Sequence, residues 1–351
     1  MSSGDLLIFR EDFSDEVKIA LIGVGGAGSN TADRILSMNM RGIKIIAANT
    51  DAQHLELVNA HQKILLGKSV TRFRGSGGDP EVGRRAVEES LDEIRAALEG
   101  SDIVFVAAGL GGGTGTGGAP LIAAVARELG AIVIGVVTLP FKFEGNVRKR
   151  IALKGLEDMQ DKCHTVVAID NNKLLELYPQ YSLKTAFSLA DEVISNMVMS
   201  ITESIAKPSL INIDYADFKT VMMRGKLAAL GIGSSSTPNR AEEATFSALQ
   251  SPLLDITYEG LTGAIIHVAG GDDMKISEAA RPAEIVSELM GEEALVIWGA
   301  RIDNSLGSSL QVSLILTGVE STELLKAKEE PKPLEEKELD EIMEELGIKP
   351  L

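Results

Sequence analysis

Eight residues near the middle of the chain, GGGTGTGG from Gly111 to Gly118, follow the apolar run Ile103 to Ala108 and lead into another through Leu121, Ile122 and Val125. A buried strand that turns through glycine into a helix points unpaired backbone N–H groups, and the positive end of the helix dipole, at whatever fills the turn. That is anion chemistry, and phosphate fits it best. Glycine allows close backbone approach and positive φ, while Thr114 and Thr116 add hydroxyl donors. A flexible hinge is the plain alternative, but a hinge has no need to sit between strand and helix or to alternate threonine with glycine. Two further stretches share the design. GVGGAGSN, Gly23 to Asn30, follows the apolar run Val17 to Ile22 and opens a helical pattern with Ile35, Leu36 and Met38. Arg74-Gly75-Ser76-Gly77-Gly78-Asp79-Pro80 precedes a helix predicted from Glu81 to Leu98.

Taken alone, Gly23, Gly25 and Gly28 also satisfy the G-x-G-x-x-G dinucleotide fingerprint, with Asp51 where a ribose-binding acid could stand. An NAD-dependent oxidoreductase is therefore a rival reading. Three phosphate-type loops suit a triphosphate better than the pyrophosphate of NAD, which needs only the first. No Gly-x4-Gly-Lys-Ser/Thr occurs, which excludes the ordinary P-loop NTPase. The single cysteine, Cys163, excludes an internal disulfide, and the four histidines, His54, His61, His164 and His267, lack metal-ligand spacing.

The elements that must hold these loops follow from periodicity. Strands are expected at Lys44 to Ala48, Ala131 to Val137 and Thr165 to Ile169, alternating with helices such as Arg148 to Gln160. The fold class is α/β: a Rossmann-like parallel-sheet domain over residues 17–182, helices on both faces, its ligand at the C-terminal ends of the strands. Apolar residues from Leu183 through Phe187, Ile194, Met197 and Ile201 to Ile205 recur at spacings of three and four, which predicts a long central helix over 183–205. A loop over 206–218 follows. Strands near Leu227–Ile232, Gly263–Ala269, Ala294–Ile302 and Leu310–Thr317, with helices at Arg240–Leu249 and Ile276–Leu289, make a second, smaller α/β domain over 219–319. Residues 1–16 read as an N-terminal extension, 320–333 as a linker, and 334–351 as an amphipathic peptide with Leu339, Ile342, Met343 and Leu346 on one face.

A formal charge of −17 over 351 residues excludes a nucleic-acid partner, because duplex binding depends on clustered Lys and Arg. No run approaches the ~20 apolar residues of a membrane span, and the N-terminus lacks the basic-then-apolar order of a signal peptide, so a cytoplasmic protein without membrane insertion is expected.

GGGTGTGG resembles the signature loop of the tubulin and FtsZ family of GTPases, and the resemblance runs from about Val17 to Val319 with the motifs in the family's order. It implies the tubulin/FtsZ fold and the binding of GTP or GDP, with Mg²⁺ accompanying the triphosphate. By matching motif it implicates Gly25, Gly26, Ala27, Gly28, Ser29 and Asn30, then Ser76, Gly77, Gly78 and Asp79, then Gly112, Gly113, Thr114, Gly115 and Thr116 in phosphate binding. Glu144 and Arg148 match the family's ribose and phosphate contacts. Asn171, Phe187 and Asp191 match the positions that recognise the base, where an aromatic face can stack on a purine and a carboxylate can accept from two guanine donors. A core role for Phe187 is the alternative that its helix alone would suggest.

Asn212-Ile213-Asp214-Tyr215-Ala216-Asp217 resembles the family's synergy loop. That resemblance implies head-to-tail filaments in which Asn212, Asp214 and Asp217 act in trans on the neighbouring subunit's GTP. Turn-making is the plain reading of those aspartates. Asp79 stands where the family commonly has Asn, so its charge needs Mg²⁺, Arg72 or Arg74 beside a phosphate. The implied role is the scaffold of a prokaryotic division ring at midcell. A related GTPase for cell shape or DNA segregation, and a non-catalytic paralogue that copolymerises, remain open beside it.

In the family the extreme C-terminus binds membrane-tethering adaptors. Here Glu335, Glu336, Glu338, Asp340, Glu341, Glu344 and Glu345 surround the apolar stripe, which repels anionic headgroups and favours a protein groove with a basic rim. Removing Leu334 to Leu351 is therefore expected to leave GTP hydrolysis and assembly of the purified protein near wild type while abolishing membrane-proximal localisation. Loss of assembly on truncation, read by pelleting, would show instead that the peptide packs on its own globular part.

Overall fold

Both faces of the strand that leads into GGGTGTGG are buried, and this fixes the layers around it. In β4 (Ile103–Gly109), Ile103, Phe105 and Ala107 enter one apolar core while Val104, Val106 and Ala108 enter another. Strand period two with both sides apolar is the signature of an interior parallel strand covered by helices. The computed structural model describes residues 17–319 apart from 41, 178–179, 181, 207–209, 252–259 and 292.

Around it the chain forms β1 (Ile19–Val24), α1 (Gly25–Ser37), β2 (Ile43–Asn49), α2 (Ala52–Leu57), β3 (Gln62–Leu65), α3 (Lys68–Thr71), α4 (Pro80–Glu89) and α5 (Leu91–Leu98). After β4 come α6 (Thr114–Glu128), β5 (Ile132–Leu139), α7 (Asn146–Lys162), β6 (Thr165–Asp170), α8 (Asn171–Leu177) and α9 (Leu183–Ala206). The rest comprises α10 (Tyr215–Arg224), β7 (Leu227–Ser235), α11 (Arg240–Leu249), β8 (Gly263–Gly270), α12 (Ile276–Leu289), β9 (Leu295–Ile302) and β10 (Leu310–Thr317).

Among the described residues ten strands lie in one sheet, ordered β3-β2-β1-β4-β5-β6-β7-β10-β8-β9. From β3 to β7 the neighbours are parallel; β10 runs antiparallel to both β7 and β8. The sheet narrows where the two halves join, since β6 and β7 share only the pairs Val166–Leu227 and Val167–Ala228. One face carries α1, α9 and α10, whose apolar sides meet in a core that extends to Ile265 and Ile315 of the second half. The other face is covered by α4 to α7, and in the second half by α11 and α12.

The predicted helix from Glu81 to Leu98 is two helices. Ser90 interrupts it: its hydroxyl donates to Ala86 O at 3.2 Å and accepts from Gly67 N at 3.1 Å, a side-chain competition with the helix backbone. The stretch read as a loop over 206–218 gives way to α10 at Tyr215, because Asp214 accepts from Ala216 N at 2.8 Å and caps it.

Glycine decides how closely the layers approach. A Cβ on Gly28 would lie 2.3 Å from Ala107 O, so α1 rests directly on the backbone of β4, whereas a Cβ on Gly26 meets nothing within 4 Å. Gly28→Ala is expected to destabilise the fold by ~1–3 kcal/mol or more, because only backbone stands in the way. Gly26→Ala should unfold at the wild-type temperature; equal melting curves for the two variants would refute this packing.

Candidate functional site

The strand order 3-2-1-4-5-6 reverses direction between β1 and β4, since the chain leaves β1 toward β2 and leaves β4 toward β5. At such a switch point the loops diverge and open a crevice at the C-terminal strand ends. α1 and α6 both begin there. Gly25 has φ +73, and a Cβ on it would lie 3.1 Å from Gly115 N; a Cβ on Gly113 would lie 2.3 Å from Ser76 Oγ and 2.6 Å from Asp79 O. The three glycine loops therefore meet, as the sequence requires of a single phosphate site.

The helix starts differ in how their N–H groups are satisfied. Asp51, Asp79 and Asp214 cap α2, α4 and α10 with their own carboxylates, but neither α1 nor α6 has a side-chain cap. α5, α7 and α11 also start without a side-chain cap, but α1 and α6 do so at the switch point, where their first N–H groups can serve an anion. Gly26, Ala27, Asn30, Gly77, Gly78 and Asp79 are exposed around them and Gly112 is half-buried. Thr116 Oγ1 is spent within the loop, accepting from Gly111 N at 2.9 Å. Thr114 Oγ1 lies 3.0 Å from Ser76 Oγ and 2.6 Å from Thr50 Oγ1. Ser29 is fully buried and its Oγ has no protein partner among the described residues; the same holds for Oδ1 of the buried Asn171.

Beyond the phosphate loops, Glu144 accepts from Phe141 N at 2.9 Å and pairs with Arg148 one helical turn on. The aromatic face is shared. Phe187 stands edge-on to Phe141 with centroids 5.1 Å apart, Phe141 stacks on Phe143 at 4.9 Å, and Phe187 remains 43% exposed, so it is not the wholly internal residue that helix periodicity suggests. Asp191 Oδ1 accepts from Thr31 Oγ1 at 3.0 Å, which ties α9 to α1. Thr31, Thr50 and Phe141 belong to this cluster, and nothing in their local sequence marks them, because the contacts arise only on folding.

Asn212, Asp214 and Asp217 are not part of it. Tyr215 Oη donates to Asp102 O at 3.2 Å, and Asp102 precedes β4, whereas the glycine loop follows that strand. The two groups are separated by the length of β4, roughly 20 Å at ~3.3 Å per residue.

The model of the Tubulin/FtsZ family, GTPase domain, matches residues 18–179, and that of the FtsZ family, C-terminal domain, matches residues 226–320. Cell division protein FtsZ 2 of Methanocaldococcus jannaschii is 46% identical over 335 residues, 95% of this chain and 88% of that protein. The chain belongs to the Tubulin/FtsZ family. A solved FtsZ dimer from the same organism superposes with TM-score 0.83 at 48% identity, covering 86% of this chain and 88% of its own. A CetZ2 from Haloferax volcanii, solved as a GTPγS-bound protofilament, has TM-score 0.76 at 24% identity, covers 93% of this chain and 99% of its own, and shares the fold.

Membership in this GTPase family removes the NAD-dependent oxidoreductase reading. In the structure Asp51 Oδ1 caps α2, accepting from Gln53 N and His54 N at 3.0 and 3.2 Å. Asp79 likewise accepts from Glu81 N at 2.9 Å, a cap that asparagine would also supply. Among the described residues no helix is long and apolar enough to cross a membrane.

Asp191 is the strained group of the site. Burial pushes its carboxyl up from the ordinary 3.8 to about 6, against the opposing pull of the Thr31 hydroxyl and the Arg34 charge. The rise corresponds to about 3 kcal/mol. Because the folded value lies above the unfolded one, the stability is fully present below 3.8 and is lost as pH rises through about 6. Asp191→Asn is therefore expected to raise the stability of nucleotide-free protein by ~1–3 kcal/mol at pH 8, a gain that fades toward pH 4. Denaturant titrations showing the same gain at both pH values would rule out this charge penalty.

Proposed function

We propose that the chain is a GTP-hydrolysing, self-polymerising protein of FtsZ type that scaffolds a prokaryotic cell-division ring. The observation that carries this is the separation of the glycine loops from Asp214 and Asp217 by the length of β4. A subunit's aspartates cannot reach its own triphosphate, so hydrolysis requires a second copy stacked end to end. A head-to-tail contact of this kind does not close on itself and generates a filament.

In this reading the N–H groups at the starts of α1 and α6 and the 76–79 loop hold the phosphates, and Asn171, at the start of α8, stands with the residues that recognise the base. Arg148 and Glu144 contact ribose and phosphate, Phe187 stacks on the base, and Asp191 accepts from guanine's ring N–H and exocyclic amine. Asp79 beside the loops fits a magnesium ion. Among the described residues no three His, Cys, Asp or Glu side chains converge, so phosphate oxygens would supply most of that ion's ligands. When bound, it neutralises charge on the phosphoryl group.

The neighbour's Asp214 and Asp217 orient water for attack on the γ-phosphorus. The bond to the bridging oxygen breaks, its electron pair leaves with GDP, and the water's proton passes to carboxylate or solvent. Asp214 suits this because capping α10 fixes one carboxylate oxygen and leaves the other to point outward. The segment 334–351, outside the described residues, would bind a membrane-tethering adaptor and bring the filament to midcell.

The test is the pair Asp214→Asn and Asp217→Asn in one chain, which keeps the helix cap. GTP affinity should stay near wild type while steady-state phosphate release falls at least ~100-fold, in line with groups supplied in trans. Mixing this variant with one disabled in Gly112 to Thr116 should restore part of the activity. Undiminished turnover in the double variant would falsify the trans role.

A further inference from the structure

The hydroxyls of Thr50, Thr114 and Ser76 form a chain across three elements: the end of β2, the start of α6 and the glycine loop before α4. Thr50 Oγ1 lies 2.6 Å from Thr114 Oγ1, which lies 3.0 Å from Ser76 Oγ. Burial fixes its direction. Thr50 is 0% exposed, and Thr114 is its hydroxyl's one partner among the described residues. Were Thr50 the acceptor, its own proton would be stranded in the interior at a cost of ~1–3 kcal/mol. Thr50 is therefore the donor.

The consequence is felt two bonds away. Each hydroxyl has one proton, and Thr114 already receives one from Thr50. The remaining two protons belong to Thr114 and Ser76, and their mutual bond uses one. One proton is left to point outward, into the place where the three glycine loops meet. With Thr50 accepting instead, Ser76 would donate to Thr114 and the pair would face an anion with lone pairs alone. Donation from Thr50 also polarises the next hydroxyl and strengthens it as a donor. Thr114 and Ser76 retain 8% and 9% exposure and can touch a ligand, whereas Thr50 cannot.

We infer that Thr50 is a positioning residue for phosphate: through the Thr50–Thr114–Ser76 chain it fixes a hydroxyl proton toward the terminal phosphates of the bound nucleotide. This rests on the nucleotide reading above. Its mark is an effect on phosphate recognition without one on base recognition.

The experiment compares Thr50→Val, which keeps shape and removes the hydroxyl, with Thr50→Ser, which keeps the hydroxyl. Binding of GTP and of guanosine, which has no phosphate, is measured for each. Thr50→Val should weaken GTP about 5- to 20-fold and leave guanosine within twofold of wild type, while Thr50→Ser should bind both as wild type does. Ser76→Ala should weaken GTP similarly, and Thr50→Val combined with Ser76→Ala should lose little more. If Thr50→Val does not fold, Thr50→Cys, of similar volume but a weak donor, gives the same reading. GTP affinity unchanged in Thr50→Val, or guanosine and GTP falling in parallel, would overturn the inference. A wild-type protein that does not bind GTP would instead overturn the nucleotide reading.

Discussion

The contact on which the rest of the structure depends is that of two backbones: α1 lies against the end of β4 with no side chain between them. A Cβ on Gly28 would sit 2.3 Å from Ala107 O, and one on Gly23 would sit 2.0 Å from Gly28 O. Because β1 and β4 are adjacent and parallel, this approach sets the starts of α1 and α6 side by side. Two helix dipoles then converge on one volume. The glycines lose more chain entropy on folding than other residues would. The fully buried apolar faces of β1 and β4 offset that loss, which is why the most constrained loops of the chain follow its most apolar strands.

The same strands also separate the two chemical halves. Glycine loops occupy the C-terminal end of β4, and Tyr215 anchors the start of α10 to Asp102 at its N-terminal end. A rigid parallel sheet holds these ends at a fixed spacing, so a step that needs both becomes a property of two molecules under the proposed mechanism. Rigidity at this point serves assembly as well as stability. The narrower junction of β6 with β7, only two residue pairs, lies to one side of that axis and leaves it unbroken.

Much of this was legible in the sequence, and the gaps have physical causes. Strand Leu310–Thr317 and helices Arg240–Leu249 and Ile276–Leu289 match their predicted bounds, because each combines a strong period with clear turn residues at its ends. The break at Ser90 was hidden because serine fits a helix interior until another backbone, here Gly67 N, competes for its hydroxyl. α10 is hidden behind a motif: Asp214 reads as a turn residue and, by resemblance, as a catalytic one, yet Asp before Tyr-Ala-Asp also reads as an N-cap. For the site, glycine spacing marks backbone donors well. Thr31, Thr50 and Phe141 are single residues brought in from separate elements, and no local pattern precedes them.

The polar groups of the site also contrast with a buried cation elsewhere in the same chain. Arg240, 5% exposed, gives its donors to Glu278, Asp273 and Ser308 O, and those contacts pull the Glu278 carboxyl down to about 2. The protein itself satisfies that group completely, and it holds α11 and α12 together. Ser29 Oγ and Asn171 Oδ1 are left without protein partners, and Asp191 is held at about 6 by burial. A domain that leaves buried polar atoms unsatisfied is less stable than its apolar area implies. Under the proposed function a nucleotide that donates to Asp191 would bind the folded state alone and offset part of that cost through mass action. Unsatisfied atoms are not confined to the first half, since His267 Nε2 and Arg301 Nε are also buried without a partner among the described residues; what sets the second half apart is the Arg240 clamp between α11 and α12.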